Sequence, residues 1–224
     1  MIFTKDLIFI HVGKTGGMSC SVYFLENLQP PVYNCHQEVF DQINSLEADG
    51  IIPISDINRH CNLAEALEYI KKFDGRQLED FKKVVAVIRH PYMLEFSHYT
   101  HLRKPKVRNR RGKYDPSTKL ADGDFKTFVE KAGYHRKNHT QDDFVRINDE
   151  IPSCVELVKF EQLSDAFPKA VSNFIKKGAT FTFPRRNKTE YQTNIRDELT
   201  DDVKELIYRK HKFIFDSGLY SPIG

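Results

Sequence analysis

Near the start of the chain, the stretch GKTGG at residues 13–17 places three glycines and a lysine between two apolar runs. A simple turn needs only one or two glycines, so this density indicates a backbone that approaches a ligand closely. A glycine-rich turn between a strand and a helix presents N–H groups to an anion, and the helix dipole favours negative charge. We expect a phosphate here, with Lys14 as a point charge and Thr15 or Ser19 as a hydroxyl donor. The alternative is a tight turn with a solvated lysine.

A second basic residue stands where a metal-dependent enzyme would need an acidic one. The tail G-K-T matches the phosphate loop of nucleotide-hydrolysing enzymes, but the leading glycine of that motif falls on Ile8, inside the apolar run. Such an enzyme also needs an aspartate after a later apolar strand. The run VVAVI at 84–88 is followed instead by Arg89. These residues favour a ligand with an additional phosphate and no essential metal.

Two stretches resemble the motifs of a known family. HVGKTGGMS, residues 11–19, resembles the 5′-phosphosulfate loop of the carbohydrate-type sulfotransferases that use 3′-phosphoadenosine 5′-phosphosulfate (PAPS). VIRHPYMLEFSHY, residues 87–99, resembles the 3′-phosphate element of that family. The two lie in the family's order, each at a predicted strand end. Weaker similarity in 158–163 and 183–191 extends the resemblance over most of the chain.

The resemblance implies a role for each motif residue. Lys14 would contact the sulfonate and the bridging oxygen of PAPS, and Arg89 with Ser97 would hold the 3′-phosphate. The residue pattern, taken without the resemblance, agrees with the assignment of Arg89 and Ser97. A helix that begins at Pro91 places Ser97 two turns in, where it can face the same phosphate as Arg89. The residues implied around the 5′-phosphate are Gly13, Lys14, Thr15, Gly16, Gly17 and Ser19.

The sequence departs from the family pattern in three places. Met18 stands where the family usually has threonine, which removes one hydroxyl from the phosphate site. His90 replaces the usual asparagine, and Leu94 and Glu95 occupy positions that are commonly arginine and leucine. The lysine, arginine and serine that the chemistry needs are present.

Sulfonate transfer to a hydroxyl needs one base, because the acceptor loses its proton while charge moves onto the leaving oxygen. His60 follows the strand predicted at 51–55, and the carboxyl ends of strands in an open α/β sheet build its cleft. In the related family a histidine in this region often serves as the base. We predict that Lys14 and His60 are the catalytic residues. A structural role at the start of the next helix is the alternative for His60, and His11 and His36 are the next candidates.

The most basic stretch of the chain is RKPKVRNRRGK at 103–113, with seven basic residues and no acidic one. Turn-forming residues continue beyond it, so we predict a mobile loop over 103–123. An ordinary solvated loop and a rim for an anionic acceptor, such as an acidic or sulfated glycan, are both open interpretations. No aromatic residues interleave with these charges, which disfavours nucleic acid as a partner.

Strands and helices alternate along the sequence. Apolar runs predict strands at 7–12, 51–55, 84–88 and from Cys154, and helical spacing predicts helices at 18–28, from 63, from 91, at 124–132, at 140–148 and through most of 199–220. Asn62 and Thr200 are expected as N-caps, and Gly218 as the residue past the last helix. This alternation predicts an α/β, P-loop-like three-layer domain with a central parallel sheet flanked by helices.

Length and composition fit one domain over residues 1–224. The net charge of +3 is too small to indicate nucleic acid, and the 29% of charged residues is typical of a soluble globular protein. The four cysteines have no metal-finger spacing, and the histidine pairs His98/His101 and His135/His139 lack a completing carboxylate or cysteine, so no metal is predicted. The first residues form neither a signal peptide nor a membrane span, and we expect a cytoplasmic protein.

The sequence therefore predicts a PAPS-dependent sulfotransferase that acts on a hydroxyl, with a carbohydrate as the expected acceptor. A P-loop nucleotide-dependent kinase and a non-catalytic nucleotide-binding protein of the same fold are the alternatives. The identity of the acceptor and the oligomeric state stay open.

Overall fold

The computed structural model describes residues 1–36, 50–111, 116–134, 140–177, 182–184 and 194–222. Their contacts divide into two compact units. The first unit contains the described residues of 1–88 and 143–184, and the second contains those of 89–142 and 194–222. Each unit is described by itself, and the prediction of one domain over 1–224 stays a prediction.

The first unit contains a six-stranded sheet whose order is β4-β3-β1-β2-β5-β6. The strand pairs β2/β5, β5/β6 and β3/β4 are parallel, whereas β1 is antiparallel to both β2 and β3. Five strands therefore run in one direction and β1 alone runs in the other. The strands are β1 (Ile2–Phe3), β2 (Leu7–Ile10), β3 (Val32–Asn34), β4 (Ile51–Pro53), β5 (Lys83–Ile88) and β6 (Val155–Lys159).

The described residues of the first unit form three α-helices: α1 (Gly17–Asn27), α2 (Leu63–Asp74) and α7 (Leu163–Val171). The aromatic side chains of Phe9, Phe24 and Phe167 pack edge to face and form the centre of a core between β2, α1 and α7. β5 reads KVVAVI and is buried from Val84 onward, as expected for a strand covered on both faces.

The second unit is helical. α3 packs against α6 and α9, and α5 packs against α6. The rings of Phe96, Tyr99, Phe125 and Phe128 meet in its core. Its helices are α3 (Pro91–Leu102), α4 (Pro105–Arg111), α5 (Pro116–Leu120), α6 (Phe125–Lys131), α8 (Ile195–Glu198), α9 (Asp201–Lys210) and α10 (Lys212–Asp216). No helix among the described residues is long and apolar enough to span a bilayer.

The α/β class and most of the predicted elements are confirmed. The cap at Asn62 forms as predicted: its side chain accepts a hydrogen bond from the Glu65 amide, and the Glu65 carboxylate accepts one from the Asn62 amide. Thr200 is the N-cap residue of α9, and Gly218 follows α10 with a φ of 72°. The expectation of a wholly parallel sheet is wrong, because the antiparallel strand β1 is inserted in its middle.

Three local predictions differ from the structure. The helix predicted at 140–148 is instead a single 3₁₀ turn at Asp142–Phe144. Asn148 and Asp149, with φ values of 51° and 67°, then form a tight turn that is closed by two backbone hydrogen bonds between Ile147 and Glu150. The last predicted helix is divided at His211 into α9 and α10. The predicted loop 103–123 contains α4 and α5, with 112–115 outside the described residues.

Candidate functional site

The loop between β2 and α1 has the backbone shape of an anion-binding nest. Lys14 and Gly16 have φ values of 60° and 82°, and Thr15 between them keeps a negative φ. Such alternation turns successive N–H groups towards one point, at the N-terminus of a helix whose first amides have no intrahelical acceptor. Within the described part of the chain, the amides of Thr15, Gly16 and Gly17 donate no hydrogen bond. The loop can therefore present three donors to one phosphate group.

The hydroxyls of this loop have different surroundings. Thr15 is buried, and its hydroxyl donates to the carbonyl oxygen of Val12 at 2.9 Å, so it closes the turn and is not available to donate to a ligand. Ser19 lies in the first turn of α1 and is 5% exposed. Of the two hydroxyl donors that the sequence offers, that of Thr15 is thus committed to the loop itself.

Close packing explains two of the loop glycines. A Cβ on Gly17 would lie 1.8 Å from Nε2 of His11, so the imidazole fills the space of a side chain. A Cβ on Gly16 would lie 2.7 Å from the Leu163 side chain at the start of α7, and the positive φ of Gly16 adds to this restriction. The loop therefore packs between the His11 ring and the start of α7.

Three histidines and one arginine form a cluster, the histidine cluster, beside this loop. His11 follows β2, His36 follows β3, and Arg59 and His60 lie in the loop after β4. These strands run in the same direction, so their carboxyl ends lie at one edge of the sheet. The ring centroid of His11 is 4.5 Å from that of His60 and 5.1 Å from that of His36.

The hydrogen bonds of the histidine cluster assign its tautomers. His60 Nδ1 lies 3.0 Å from the carbonyl oxygen of His11, which only accepts, so Nδ1 carries the proton. Arg59 Nε donates to His60 Nε2 at 3.2 Å, and Arg59 Nη1 donates to His36 Nε2 at 3.0 Å. His36 Nδ1 then donates to the Ser21 hydroxyl at 3.2 Å. His36 and His60 are therefore neutral, and both direct a lone pair at Arg59.

His11 is buried within the cluster, at 6% exposed. Burial, followed by the neighbouring imidazoles of His60 and His36, lowers the pKa of His11 well below its ordinary value. Its Nδ1 is buried and has no hydrogen-bond partner among the described residues. His11 is thus a neutral group at pH 7 whose ring packs against the start of α1.

In the second unit, Arg89 is held through its backbone. The Gln141 side chain accepts a hydrogen bond from the Arg89 amide at 2.8 Å and donates one to the Arg89 carbonyl oxygen at 2.7 Å. Both residues are buried. Ser97 is 5% exposed in α3, and its hydroxyl makes no hydrogen bond within the described ranges. This unit therefore contains an arginine whose backbone is fixed and, two turns into α3, a hydroxyl without an acceptor among the described residues.

A buried ion cluster lies on the same helix. Glu95 of α3 is fully buried, and its Oε1 lies 2.7 Å from His211 Nε2 and 3.0 Å from Lys210 Nζ. Burial alone would raise the pKa of Glu95, but the Lys210 ammonium and the hydrogen bond from His211 lower it to about 2. Glu95 stands where the sulfotransferase motif commonly has leucine, and its carboxylate is paired with Lys210 of α9 and with His211 at the C-terminal end of that helix.

The structure brings together part of what the sequence predicts. His60, His11 and His36 are close neighbours beside the loop of Lys14. The sequence analysis missed three candidates: Arg59, Gln141 and the partners of Glu95. Of these, Arg59 alone had a signal in the sequence, which is its position next to His60. In the basic stretch, Arg108 pairs with Asp122 at 2.7 Å. His135, His139 and residues 185–191 lie outside the described residues.

A scan against models of protein families, a search of curated proteins and a search of solved structures each gave no match.

Proposed function

We propose that this protein is a PAPS-dependent sulfotransferase that moves a sulfonate group to a hydroxyl of an acceptor, a carbohydrate in our interpretation. The observation that carries the proposal is the loop between β2 and α1. Its positive φ values at Lys14 and Gly16, and its three amides without an acceptor among the described residues, suit a bound phosphate. A P-loop-like three-layer fold is part of the same proposal.

PAPS supplies an activated sulfonate whose leaving group is a phosphate. The chain's contribution is to bind and orient it: the amides of Thr15, Gly16 and Gly17, with the Ser19 hydroxyl, surround the 5′-phosphate. Lys14 places a positive charge at the bridging oxygen, where negative charge develops as the bond to sulfur breaks. Because this charge is larger in the transition state than in the bound substrate, Lys14 contributes more to turnover than to binding.

We assign the 3′-phosphate to Arg89 and Ser97. Arg89 comes directly after Ile88, the last residue of β5, in the chain. The Gln141 side chain fixes the backbone of Arg89, and the Ser97 hydroxyl has no acceptor within the described ranges. A guanidinium and a hydroxyl are suitable donors for a terminal phosphate.

We assign the general base to His60. In its neutral form, with the proton on Nδ1, the imidazole has its lone pair on Nε2, and the His11 carbonyl oxygen would stabilise the imidazolium that forms. No step of this reaction requires a metal. The four cysteines are thiols, which suits a reducing compartment, and we propose a cytoplasmic location on that basis.

Calorimetry with nucleotides tests this proposal. Adenosine 3′,5′-bisphosphate should bind more tightly than ADP or ATP, and addition of EDTA should leave its affinity unchanged. ADP has the same adenosine and the same number of phosphates, so the comparison tests whether the second phosphate is preferred at the 3′ position. Tighter binding of ATP in the presence of magnesium would contradict the proposal and favour the nucleotide-dependent kinase.

A further inference from the structure

Arg59 connects two histidines of the histidine cluster through a single guanidinium group. Its Nε donates to His60 Nε2 at 3.2 Å and its Nη1 donates to His36 Nε2 at 3.0 Å. Arginine cannot accept a hydrogen bond and keeps its charge at any ordinary pH. The lone pairs of His36 and His60 are therefore both occupied by the guanidinium of Arg59.

This arrangement opposes proton uptake by His60. A base must offer its lone pair to the proton that it removes, and the lone pair of His60 is on Nε2, the atom that Arg59 contacts. The other ring nitrogen is already protonated, because it donates to the His11 carbonyl oxygen. A proton on Nε2 would face the guanidinium N–H at hydrogen-bond distance, so the guanidinium must move before His60 can act.

The backbone around Arg59 and His60 is fixed, which leaves the arginine side chain as the movable part. The His60 amide donates to the Asn58 side chain at 2.8 Å, and the Cys61 amide donates to the Asn58 carbonyl oxygen at 3.0 Å. Asn62 then caps α2 together with Glu65. Arg59 itself is half-buried, and its long side chain can turn without a change in this backbone.

We propose that Arg59 recognises an anionic group of the acceptor, a carboxylate or a sulfate next to the reacting hydroxyl, and that this contact uncovers the lone pair of His60. The inference rests on the proposed sulfotransferase function. A carboxylate or sulfate accepts two parallel hydrogen bonds from a guanidinium, and such charge-assisted bonds are stronger than those to neutral imidazoles. An anionic acceptor thereby replaces the two imidazole contacts of Arg59 with stronger ones.

The reaction then balances within the histidine cluster. The acceptor oxygen forms a bond to sulfur while the bond from sulfur to the bridging oxygen breaks, and adenosine 3′,5′-bisphosphate leaves with the electron pair. The acceptor's hydroxyl proton passes to His60 Nε2. The resulting imidazolium donates from Nδ1 to the His11 carbonyl oxygen, and the anion on Arg59 offsets the second positive charge.

Nitrogen NMR of the imidazoles tests the inference without any turnover, using glucuronate as the carboxylate probe and glucose as its neutral counterpart. In the wild type, His36 and His60 should both carry the proton on Nδ1. Glucuronate should move both Nε2 resonances downfield as Arg59 leaves, whereas an equal concentration of glucose should not. Unchanged Nε2 resonances at saturating or solubility-limited glucuronate would overturn the inference.

Variants supply the controls. In Arg59→Leu the Nε2 resonances should lie at the released position without any anion and should not respond to glucuronate. Lys72→Gln removes a charge from an exposed ion pair on α2 and should behave like the wild type. The same result for Arg59→Leu as for the wild type would refute the role of Arg59. The glucuronate titration needs no variant, so it decides even if Arg59→Leu fails to fold.

The two proposals can fail separately. If adenosine 3′,5′-bisphosphate does not bind but glucuronate still releases the two imidazoles, the sulfotransferase function is wrong and an anion site at Arg59 stands. If the bisphosphate binds and glucuronate releases neither imidazole, the function stands and the role of Arg59 is wrong.

Discussion

The imidazole of His11 occupies the space where a side chain on residue 17 would begin, with Nε2 1.8 Å from the position of a Cβ on Gly17. The His11 ring, which follows β2, therefore packs directly against Gly17, the first residue of α1. A side chain on residue 17 forces the ring away from the helix, and with it the His11 carbonyl oxygen that orients His60.

Gly17→Ala should destabilise the protein and disturb the histidine cluster. Overpacking of this kind costs about 1–3 kcal/mol of the free energy of unfolding, measured in urea. Gly133→Ala is the control, because a Cβ there meets no atom within 4 Å and its effect should be small. In a double-mutant cycle with His11→Ala, the two changes should be clearly less than additive. Simple additivity would mean that the ring does not resist the new methyl group.

Lys14→Ala should lose turnover while binding of adenosine 3′,5′-bisphosphate changes little. By analogy with an oxyanion donor, the loss is on the order of 10²–10³ in kcat. Alanine keeps the same backbone restriction at a φ of 60°, so the variant removes the ammonium without relaxing the loop. Release of the bisphosphate from PAPS measures the rate, and the exposed Lys5→Ala is the control. Unchanged turnover would exclude Lys14 from the chemistry.

His60→Asn should abolish transfer and leave nucleotide binding intact. A general base contributes about 10²–10⁴ to the rate, and asparagine can keep a hydrogen bond to the His11 carbonyl oxygen while it lacks basicity. The melting temperature must be measured beside the rate, since His60 also lies in the turn before α2. A stable variant with ordinary turnover would reassign the base to His11 or His36.

Glu95→Gln should destabilise the second unit in a pH-dependent way. The pKa of Glu95 is lowered to about 2 in the folded chain, against about 4.3 when unfolded, so its charge stabilises the fold fully above the unfolded value. This contribution disappears as the pH falls from about 4.3 towards 2. At pH 7 the variant should lose about 3–5 kcal/mol, because Lys210 and His211 keep their positions without a carboxylate.

Urea unfolding at pH 7 and near pH 2.5 measures this difference, which should shrink at the lower pH. Glu205→Gln is the control, because Glu205 forms an exposed pair with Arg209 on α9. Its effect should stay within about 1 kcal/mol at both pH values. A difference between Glu95→Gln and the wild type that is independent of pH would indicate that packing, not charge, is what the carboxylate contributes.

Local signals allowed much of the fold to be predicted. The apolar run at 84–88 became β5, the Asn62 cap formed with Glu65, and the glycine stretch at 13–17 became a turn before a helix. Each of these depends on residues within a few positions of one another. The strands β1 and β3 were missed because two and three residues are too short to show any periodicity; the equally short β4 was predicted from the apolar run around it.

The arrangement of the candidate site depends on partners that are distant in sequence. His36 reaches His11 because β1 pairs with both β2 and β3, and no local pattern predicts that insertion. Glu95 meets His211 across more than a hundred residues, so the sequence showed only an unusual acid where a leucine is common. The sequence thus indicated which residues to consider as candidates, but it indicated neither Arg59 and Gln141 nor any of these contacts.

The sheet order also has a consequence for how the chain folds. On one side of β2, Phe9 pairs with Ile2 through a short hairpin, which forms with little loss of loop entropy. On the other side, Leu7 pairs with Lys83, so the chain must first close a loop of more than seventy residues. Pairings of such high contact order form slowly. The glycine loop therefore follows a strand whose two edges are paired at very different separations in sequence, one local and one distant.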